Sequence, residues 1–145
     1  MDDGDFLTFT VDGLLLALPV DRVEEVLRQH SLTPVPLSAS CVAGLMNLRG
    51  QIVLAVDLRD RLGLDPLPDP SRMHVVIRGD SGLHSLLVDS IGDVISMAGY
   101  PRDRVPERVS STLRSLATAV YRLPDRLLLA LDADRLVDPA VLQGA

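Results

Sequence analysis

Two short apolar runs open the chain, over residues 6–11 and 14–20, and an Asp-Gly pair at positions 12 and 13 separates them. Glycine tolerates the positive φ that tight hairpin turns require, so this pattern predicts a β-hairpin. A second pair of strands is predicted within residues 48–58, with its turn near Arg49 and Gly50. The first third of the chain therefore carries mainly β-type signals.

A helical spacing of apolar residues separates these two strand pairs. Val23, Val26 and Leu27 follow Asp21, and aspartate is a preferred N-cap residue. We therefore predict a short helix or helical turn over residues 21–29. The apolar face of such a helix must be buried somewhere. We expect Val26 to lie in the core and Val23 to lie nearer the surface.

The same order of elements recurs in the second half of the chain. Residues 20–27 align with residues 88–95, 68 positions further on, and apolar residues match apolar ones and acids match acids. Residues 54–57 align in the same way with residues 129–132, 75 positions further on. Two copies are too few for a stacked solenoid, so the repeat predicts two similar small β-barrels. Chance similarity among apolar strands is the alternative explanation.

A stretch rich in proline and aspartate, residues 65–71, predicts an extended surface link between the two halves. Further on, the prolines and charges within residues 97–116 predict an exposed loop, and residues 110–116 a brief helix. The expected organisation is one domain over residues 6–138, made of halves 6–64 and 72–138, with tails at 1–5 and 139–145.

Composition narrows the class of protein. Hydrophobic residues make up 47% and charged residues 23%, which favours a folded core, and a 3% aromatic content makes that core aliphatic. The formal net charge is −6, and the 14 basic residues are all arginines scattered along the sequence, so nucleic acid is not an expected partner. A single cysteine, an acidic amino terminus and the lack of an apolar run of ~18 residues indicate a cytoplasmic protein.

Motifs for catalysis or metal binding are not evident. His30, His74 and His84 lack the spacing of a zinc site, and we expect them at the surface or at strand edges. Ser85 adjoins His84, but neighbouring side chains on a strand point to opposite faces, and no nucleophile elbow surrounds this serine. Cys41 lies among small residues and is interpreted as an inert small hydrophobe. We expect no enzymatic activity, no cofactor and no metal.

Residues 44–64, GLMNLRGQIVLAVDLRDRLGL, combine an N-L-R-G turn with a strand that ends in V-D-L-R. This segment resembles the signature of the CheW-like family of chemotaxis coupling proteins, and the resemblance continues in residues 6–27, 86–97 and 126–137. It implies an all-β fold of two five-stranded, SH3-like β-barrel subdomains with a groove between them. That implication agrees with the internal repeat.

The chain departs from the family pattern at three positions. The family commonly has proline where this chain has Leu54, and a small apolar residue followed by glycine where this chain has His84 and Ser85. Proline restricts a strand to edge or bulge positions, so Leu54 changes how its strand can pair. These differences leave open whether the chain is a main coupling protein or a diverged relative.

The resemblance implies a non-catalytic adaptor that binds the cytoplasmic tip of a chemoreceptor and the regulatory domain of a CheA-type histidine kinase, recruited to membrane-associated receptor arrays. The positions that match the family's receptor-facing or structure-setting motif are Val23, Glu25, Gly44, Arg49 and Gly50. The resemblance also places Glu25 and Arg49 beside the groove, where we expect them to pair. A diverged adaptor of a non-motility pathway, an unrelated β-barrel binding module and a small enzyme are the alternatives.

Overall fold

A computed structural model describes residues 4–66 and 72–143, which form eleven β-strands and four short α-helices. The strands are β1 (Asp5–Val11), β2 (Leu14–Pro19), β3 (Val23–Leu27), β4 (Val42–Leu48), β5 (Gln51–Asp57), β6 (Met73–Gly79), β7 (Gly82–Val88), β8 (Ser90–Ser96), β9 (Arg102–Asp103), β10 (Ala117–Arg122) and β11 (Leu127–Leu131). The helices are α1 (Leu58–Arg61), α2 (Ser111–Leu116), α3 (Ala133–Leu136) and α4 (Pro139–Leu142).

The strands form two sheets. One has six strands in the order β8-β1-β2-β11-β10-β9, and the other has five in the order β3-β6-β7-β5-β4. The pairs β2–β11 and β5–β7 are parallel, and the remaining pairs are antiparallel. This confirms the predicted all-β class with two units. Within the described residues the ladders stay open, so the units are curled sheets of six and five strands rather than two closed five-stranded barrels.

Each sheet combines strands from both halves of the sequence. Strand β3, from the first half, lies in the five-stranded sheet beside β6, and β8, from the second half, lies in the six-stranded sheet beside β1. The division into halves 6–64 and 72–138 therefore describes the repeat along the chain, while the sheets exchange strands across it. Residues 67–71 of the expected link lie outside the described residues. The segment after residue 138 contains α4, whose Leu142 is buried in the core.

Two-residue turns close the predicted hairpins. Asp12 and Gly13 have φ angles of 53° and 78°, and Arg49 and Gly50 have φ angles of 51° and 86°. Both central residues of each turn are therefore left-handed, as in the type I′ turns that match the twist of antiparallel strands. The predicted β1–β2 and β4–β5 hairpins are confirmed, and so is the brief helix before β10.

The predicted helix over residues 21–29 is wrong. A single 3-10 turn, Val20–Arg22, leads into strand β3, which pairs with β6. Burial alternates along β3, but Glu25 is half-buried and Val26 is exposed, so the strand period of two does not appear in the pattern of apolar residues. Pairing with a strand about 50 residues away satisfies the backbone of this segment and overrides its local helical spacing.

Apolar side chains form one main core cluster and two smaller ones. The main cluster takes residues from both sheets, such as Phe9 and Leu16 from one and Ile77 and Leu86 from the other. Each smaller cluster draws on the strands of one sheet, with Met46 at the centre of the cluster in the five-stranded sheet. Side chains alternate between the two faces of a strand, so each sheet packs one face on the other sheet and curls its second face around its own small core.

Candidate functional site

The β4–β5 turn presents Arg49 in a fixed backbone conformation. The side-chain oxygen of Asn47 accepts a hydrogen bond from the Gly50 N–H at 2.8 Å. Arg49 and Gly50 both have positive φ, and glycine adopts that region without the cost that a side chain brings. The N-L-R-G sequence is thus a turn in which Asn47 holds the backbone, Gly50 allows it and Arg49 carries the charge.

Glu25 and Arg49 form an ion pair, as predicted. The Arg49 Nη2 donates to both carboxylate oxygens of Glu25, at 2.8 and 2.7 Å. Strand β3 is one edge of the five-stranded sheet and the β4–β5 hairpin is the other, so the pair links the two edges where the sheet curls. The Glu25 side chain is 23% exposed, whereas that of Arg49 is 71% exposed. Glu25 therefore positions a guanidinium that remains open to solvent.

Gly44 sets the structure of the strand that leads to this turn. Its φ is 153°, and a Cβ atom added there would lie 2.7 Å from the backbone oxygen of Thr33. Thr33 and Leu45 exchange two backbone hydrogen bonds of 2.8 Å, which bring the preceding loop against β4. Only glycine leaves room for that approach.

The two valines of β3 lie opposite to the prediction. Val26 is 43% exposed, so its expected place in the core is wrong. Val23 is half-buried and packs against the main core, although part of its side chain still reaches solvent. Burial alternates along β3, which leaves Val26 exposed on this edge strand while Val23, Glu25 and Leu27 are half-buried.

Exposed apolar residues occur at equivalent positions of the repeat. Val26 and Ile52 of the five-stranded sheet are 43% and 62% exposed, and Val94 and Leu127 of the six-stranded sheet are 56% and 45% exposed. Val94 lies 68 positions after Val26, and Leu127 lies 75 positions after Ile52, the same offsets as in the repeat. Each unit of the fold therefore exposes two apolar residues at matching positions of the repeat.

Sequence reasoning missed a network of buried charges centred on Asp89. Arg59 donates to its two oxygens from Nε at 3.1 Å and Nη2 at 2.7 Å, and the backbone N–H of Asp12 donates at 2.7 Å. Arg72 lies 3.9 Å away and itself makes a two-pronged contact with Asp57 at 3.0 and 2.7 Å. Burial raises the pKa of Asp89, but the hydrogen bonds and charges of its neighbours outweigh that effect, so this pKa lies below its usual value.

Comparison with known proteins identifies relatives over nearly the whole chain. The family model of the CheW-like domain matches residues 5–140. The chemotaxis protein CheW of Thermotoga maritima is 29% identical over 138 residues, covering 95% of this chain and 90% of that protein. The CheW protein of Bacillus subtilis is 28% identical over 141 residues, covering 96% and 90%. The crystal structure of the scaffolding protein TtCheW from Thermoanaerobacter tengcongensis matches with a TM-score of 0.81 at 19% identity, covering 95% and 94%.

The chain belongs to the CheW-like domain family. The resemblance inferred from the N-L-R-G turn and the V-D-L-R element is confirmed, and the structural likeness shows that the chain has the fold of a CheW scaffolding protein. The V-D-L-R element also contains the signal for the missed network. Its Asp57 and Arg59 are the residues that bind Arg72 and Asp89.

One of the departures from the CheW pattern, Ser85, is accommodated by a buried polar contact. The Ser85 hydroxyl and the Nδ1 atom of His74 are 2.7 Å apart, and both side chains are almost fully buried. Burial lowers the pKa of His74 to about 4, and the nearby charges of His30 and Arg72 act in the same direction. The prediction of surface or strand-edge histidines is therefore wrong for His74, which lies on the interior strand β6. His84 also lies on an interior strand, where burial lowers its pKa.

The third departure, Leu54, lies on a strand with partners on both sides. Strand β5 pairs with β4 and with β7, and Leu54 is opposite Leu45 on one side and His84 on the other. Leucine retains the backbone N–H that proline lacks, so it suits an interior strand of this CheW-like sheet.

Across residues 4–66 and 72–143, no group of three or more His, Cys, Asp or Glu side chains is arranged to hold a metal ion. In the same part of the chain, no helix combines the length and apolar character that a membrane span requires. Cys41 is buried, and burial raises the pKa of its thiol. The candidate site of this CheW-like chain is the Glu25–Arg49 pair together with the turn that carries Arg49.

Proposed function

We propose that this CheW-like chain is a non-catalytic chemotaxis adaptor that couples chemoreceptors to a CheA-type histidine kinase. The observation that carries the proposal is the exposed Arg49 guanidinium, held by Glu25 at 2.7 Å on a rigid type I′ turn. A guanidinium fixed in this way can bind a carboxylate of a partner with little further loss of freedom. Val26 and Ile52, on the same sheet, add exposed apolar area to the contact.

We assign the receptor contact to the positions Val23, Glu25, Gly44, Arg49 and Gly50. Arg49 and Val23 present groups to the receptor tip, while Glu25, Gly44 and Gly50 set the geometry of the turn and its strand. The kinase regulatory domain binds elsewhere on the two units, and the exposed pair Val94 and Leu127 supports such a second surface. The adaptor works in the cytoplasm, recruited to membrane-associated receptor arrays.

Co-sedimentation with receptor-containing membranes and the kinase of the same organism tests the receptor contact. We expect Arg49→Glu to remove most of the adaptor from the sedimented fraction. The melting temperature should be nearly unchanged, because exposed ion pairs contribute little to stability. The combined variant Arg49→Glu, Glu25→Arg should recover part of the binding if the pair acts by fixing geometry.

Arg78→Glu is the matched control. Arg78 donates to Glu24 at 2.9 Å. Arg78→Glu therefore breaks an exposed ion pair that also joins β3 to a neighbouring strand but does not include the β4–β5 turn. We expect this variant to sediment like the wild type. Equal sedimentation of Arg49→Glu and wild-type protein would contradict the proposed receptor contact. Loss of both receptor and kinase binding in Arg78→Glu would show that the assay reports general charge instead.

A further inference from the structure

Four of the arginines within residues 98–127 have side chains without a partner in the part of the chain that the structure describes. Residues 98–127 contain six arginines and three acidic residues, whereas the rest of the chain contains eight arginines and seventeen acidic residues. A net charge of −6 thus hides a basic segment within an acidic protein. Although arginines occur along the whole sequence, positive charge exceeds negative charge within residues 98–127.

Most arginines outside this segment are engaged by the fold. Each of them except Arg28 makes a hydrogen bond or ion pair: Arg22, Arg49, Arg59, Arg61, Arg72, Arg78 and Arg135. Within the described part of the chain, the side chains of Arg104, Arg108, Arg114 and Arg126 make none, and all four residues are exposed. We call these four residues the arginine face.

The topology brings the arginine face to one border of the six-stranded sheet. Strand β9 is the outermost strand and pairs with β10. Arg104 follows β9, Arg108 lies in the loop to α2, and Arg114 lies on α2, which runs directly into β10. Arg126 lies in the turn after β10 and precedes the exposed Leu127. Unpaired guanidinium groups beside an exposed apolar residue are typical of protein interfaces.

We propose that the arginine face binds an acidic segment of a partner protein, at a surface separate from the Glu25–Arg49 site. Planar guanidinium groups bind carboxylates through two parallel hydrogen bonds, and nothing in the described residues already occupies these four. Three acidic residues interspersed among the arginines disfavour a phosphate polymer, which needs a continuous basic stripe. A second copy of this chain is disfavoured because two molecules of net charge −6 repel each other.

Fluorescence anisotropy of labelled poly-L-glutamate tests the proposal with the full chain. We expect salt-sensitive binding by the wild type, and a loss of affinity of about tenfold or more in the triple variant Arg104→Glu, Arg108→Glu, Arg126→Glu. Arg28→Glu is the matched control, since Arg28 is also exposed and unpaired in the described residues but lies after β3 on the other sheet. It should bind like the wild type, and circular dichroism should show both variants folded.

Three results would overturn the proposal. One is equal binding by the triple variant, and another is tighter binding of a labelled oligothymidylate than of poly-L-glutamate. The third is salt-sensitive self-association in sedimentation velocity that the triple variant abolishes. Arg49→Glu should retain poly-L-glutamate binding, so failure of this proposal and failure of the receptor contact are separate outcomes.

Discussion

Replacing Asp89 with asparagine removes a negative charge that lies between two buried arginines. Asp89 accepts both prongs of Arg59 and the Asp12 N–H, and it lies 3.9 Å from Arg72. The Arg59 and Asp89 side chains are only 9% and 17% exposed, so water cannot replace the lost contacts. Arg59 keeps a 3.4 Å contact with the more exposed Asp12, but leaving a buried charge without its main partner costs about 3–5 kcal/mol.

A matched site shows how much of that cost comes from burial. Asp134 accepts two prongs from Arg22, at 3.1 and 2.9 Å, and the backbone N–H of Asp80 at 2.8 Å, but both side chains of this ion pair are about one-third exposed. Water and salt screen such a pair, so we expect Asp134→Asn to cost at most about 1 kcal/mol.

Urea denaturation followed by circular dichroism compares the two variants. With a slope of about 1.5 kcal/mol per molar urea, Asp89→Asn should lower the midpoint by about 2–3 M, and Asp134→Asn by less than about 0.7 M. Because the pKa of Asp89 is lowered in the fold, its contribution is present above its unfolded pKa and is lost as the pH falls through the folded value. Similar midpoints for the two variants at pH 7 would refute the reasoning that burial decides the cost.

Two further predictions concern stability. Gly44→Ala should destabilise the fold by about 1–3 kcal/mol in the same assay, because the added Cβ meets a backbone oxygen. Gly13→Ala should cost less, because no atom lies near its Cβ, and equal costs would contradict the steric argument. The pKa of His74 falls from 6.5 to about 4 on folding, so unfolding free energy should decline by about 3 kcal/mol as the pH falls from 6.5 to 4. His74→Leu with Ser85→Ala should flatten that decline, whereas His30→Gln should retain most of it, because burial is the largest cause of the lowered pKa.

Local turn chemistry was the most predictable part of this fold. The pairs Asp12-Gly13 and Arg49-Gly50 fix two-residue turns through their own backbone preferences, so the flanking hairpins follow from the sequence alone. The Glu25–Arg49 pair was predictable because the family resemblance supplied a long-range contact that the residues by themselves do not encode.

Long-range strand pairing was the part that the sequence could not predict. Residues 23–27 form a strand because the edge of β6 is available to them, and no signal within the segment reveals that edge. The placement of Val26 on the surface follows from the same pairing. Arg59 and Asp89 are 30 residues apart and come together through the parallel β5–β7 contact, and parallel strands have no connecting hairpin turn that would reveal their pairing in the sequence.

The internal repeat preserves two sites in which one carboxylate binds both an arginine and a backbone N–H of a hairpin turn. We call them carboxylate joints: Asp89 with Arg59, and Asp134 with Arg22. Asp80 lies 68 positions after Asp12, and in each joint this residue's backbone N–H in a hairpin turn donates to a carboxylate that also binds an arginine. Asp134 lies 75 positions after Arg59. Helix α1 therefore supplies the arginine of one joint, and helix α3 supplies the aspartate of the other. The residue of opposite charge, Asp89 or Arg22, follows a strand.

The arginine and the aspartate can exchange positions between the two joints, because a two-pronged contact between guanidinium and carboxylate has the same geometry whichever element supplies each group. The alignment of acid with acid therefore pairs Asp89 with Asp21, although the neighbouring Arg22 is the residue that makes the joint. Each joint ties a hairpin turn of one sheet to an element that follows a strand of the other. Two such ties at separate places restrict rotation between the sheets, and an adaptor that holds two partners at once requires that its two binding surfaces keep a fixed relative orientation.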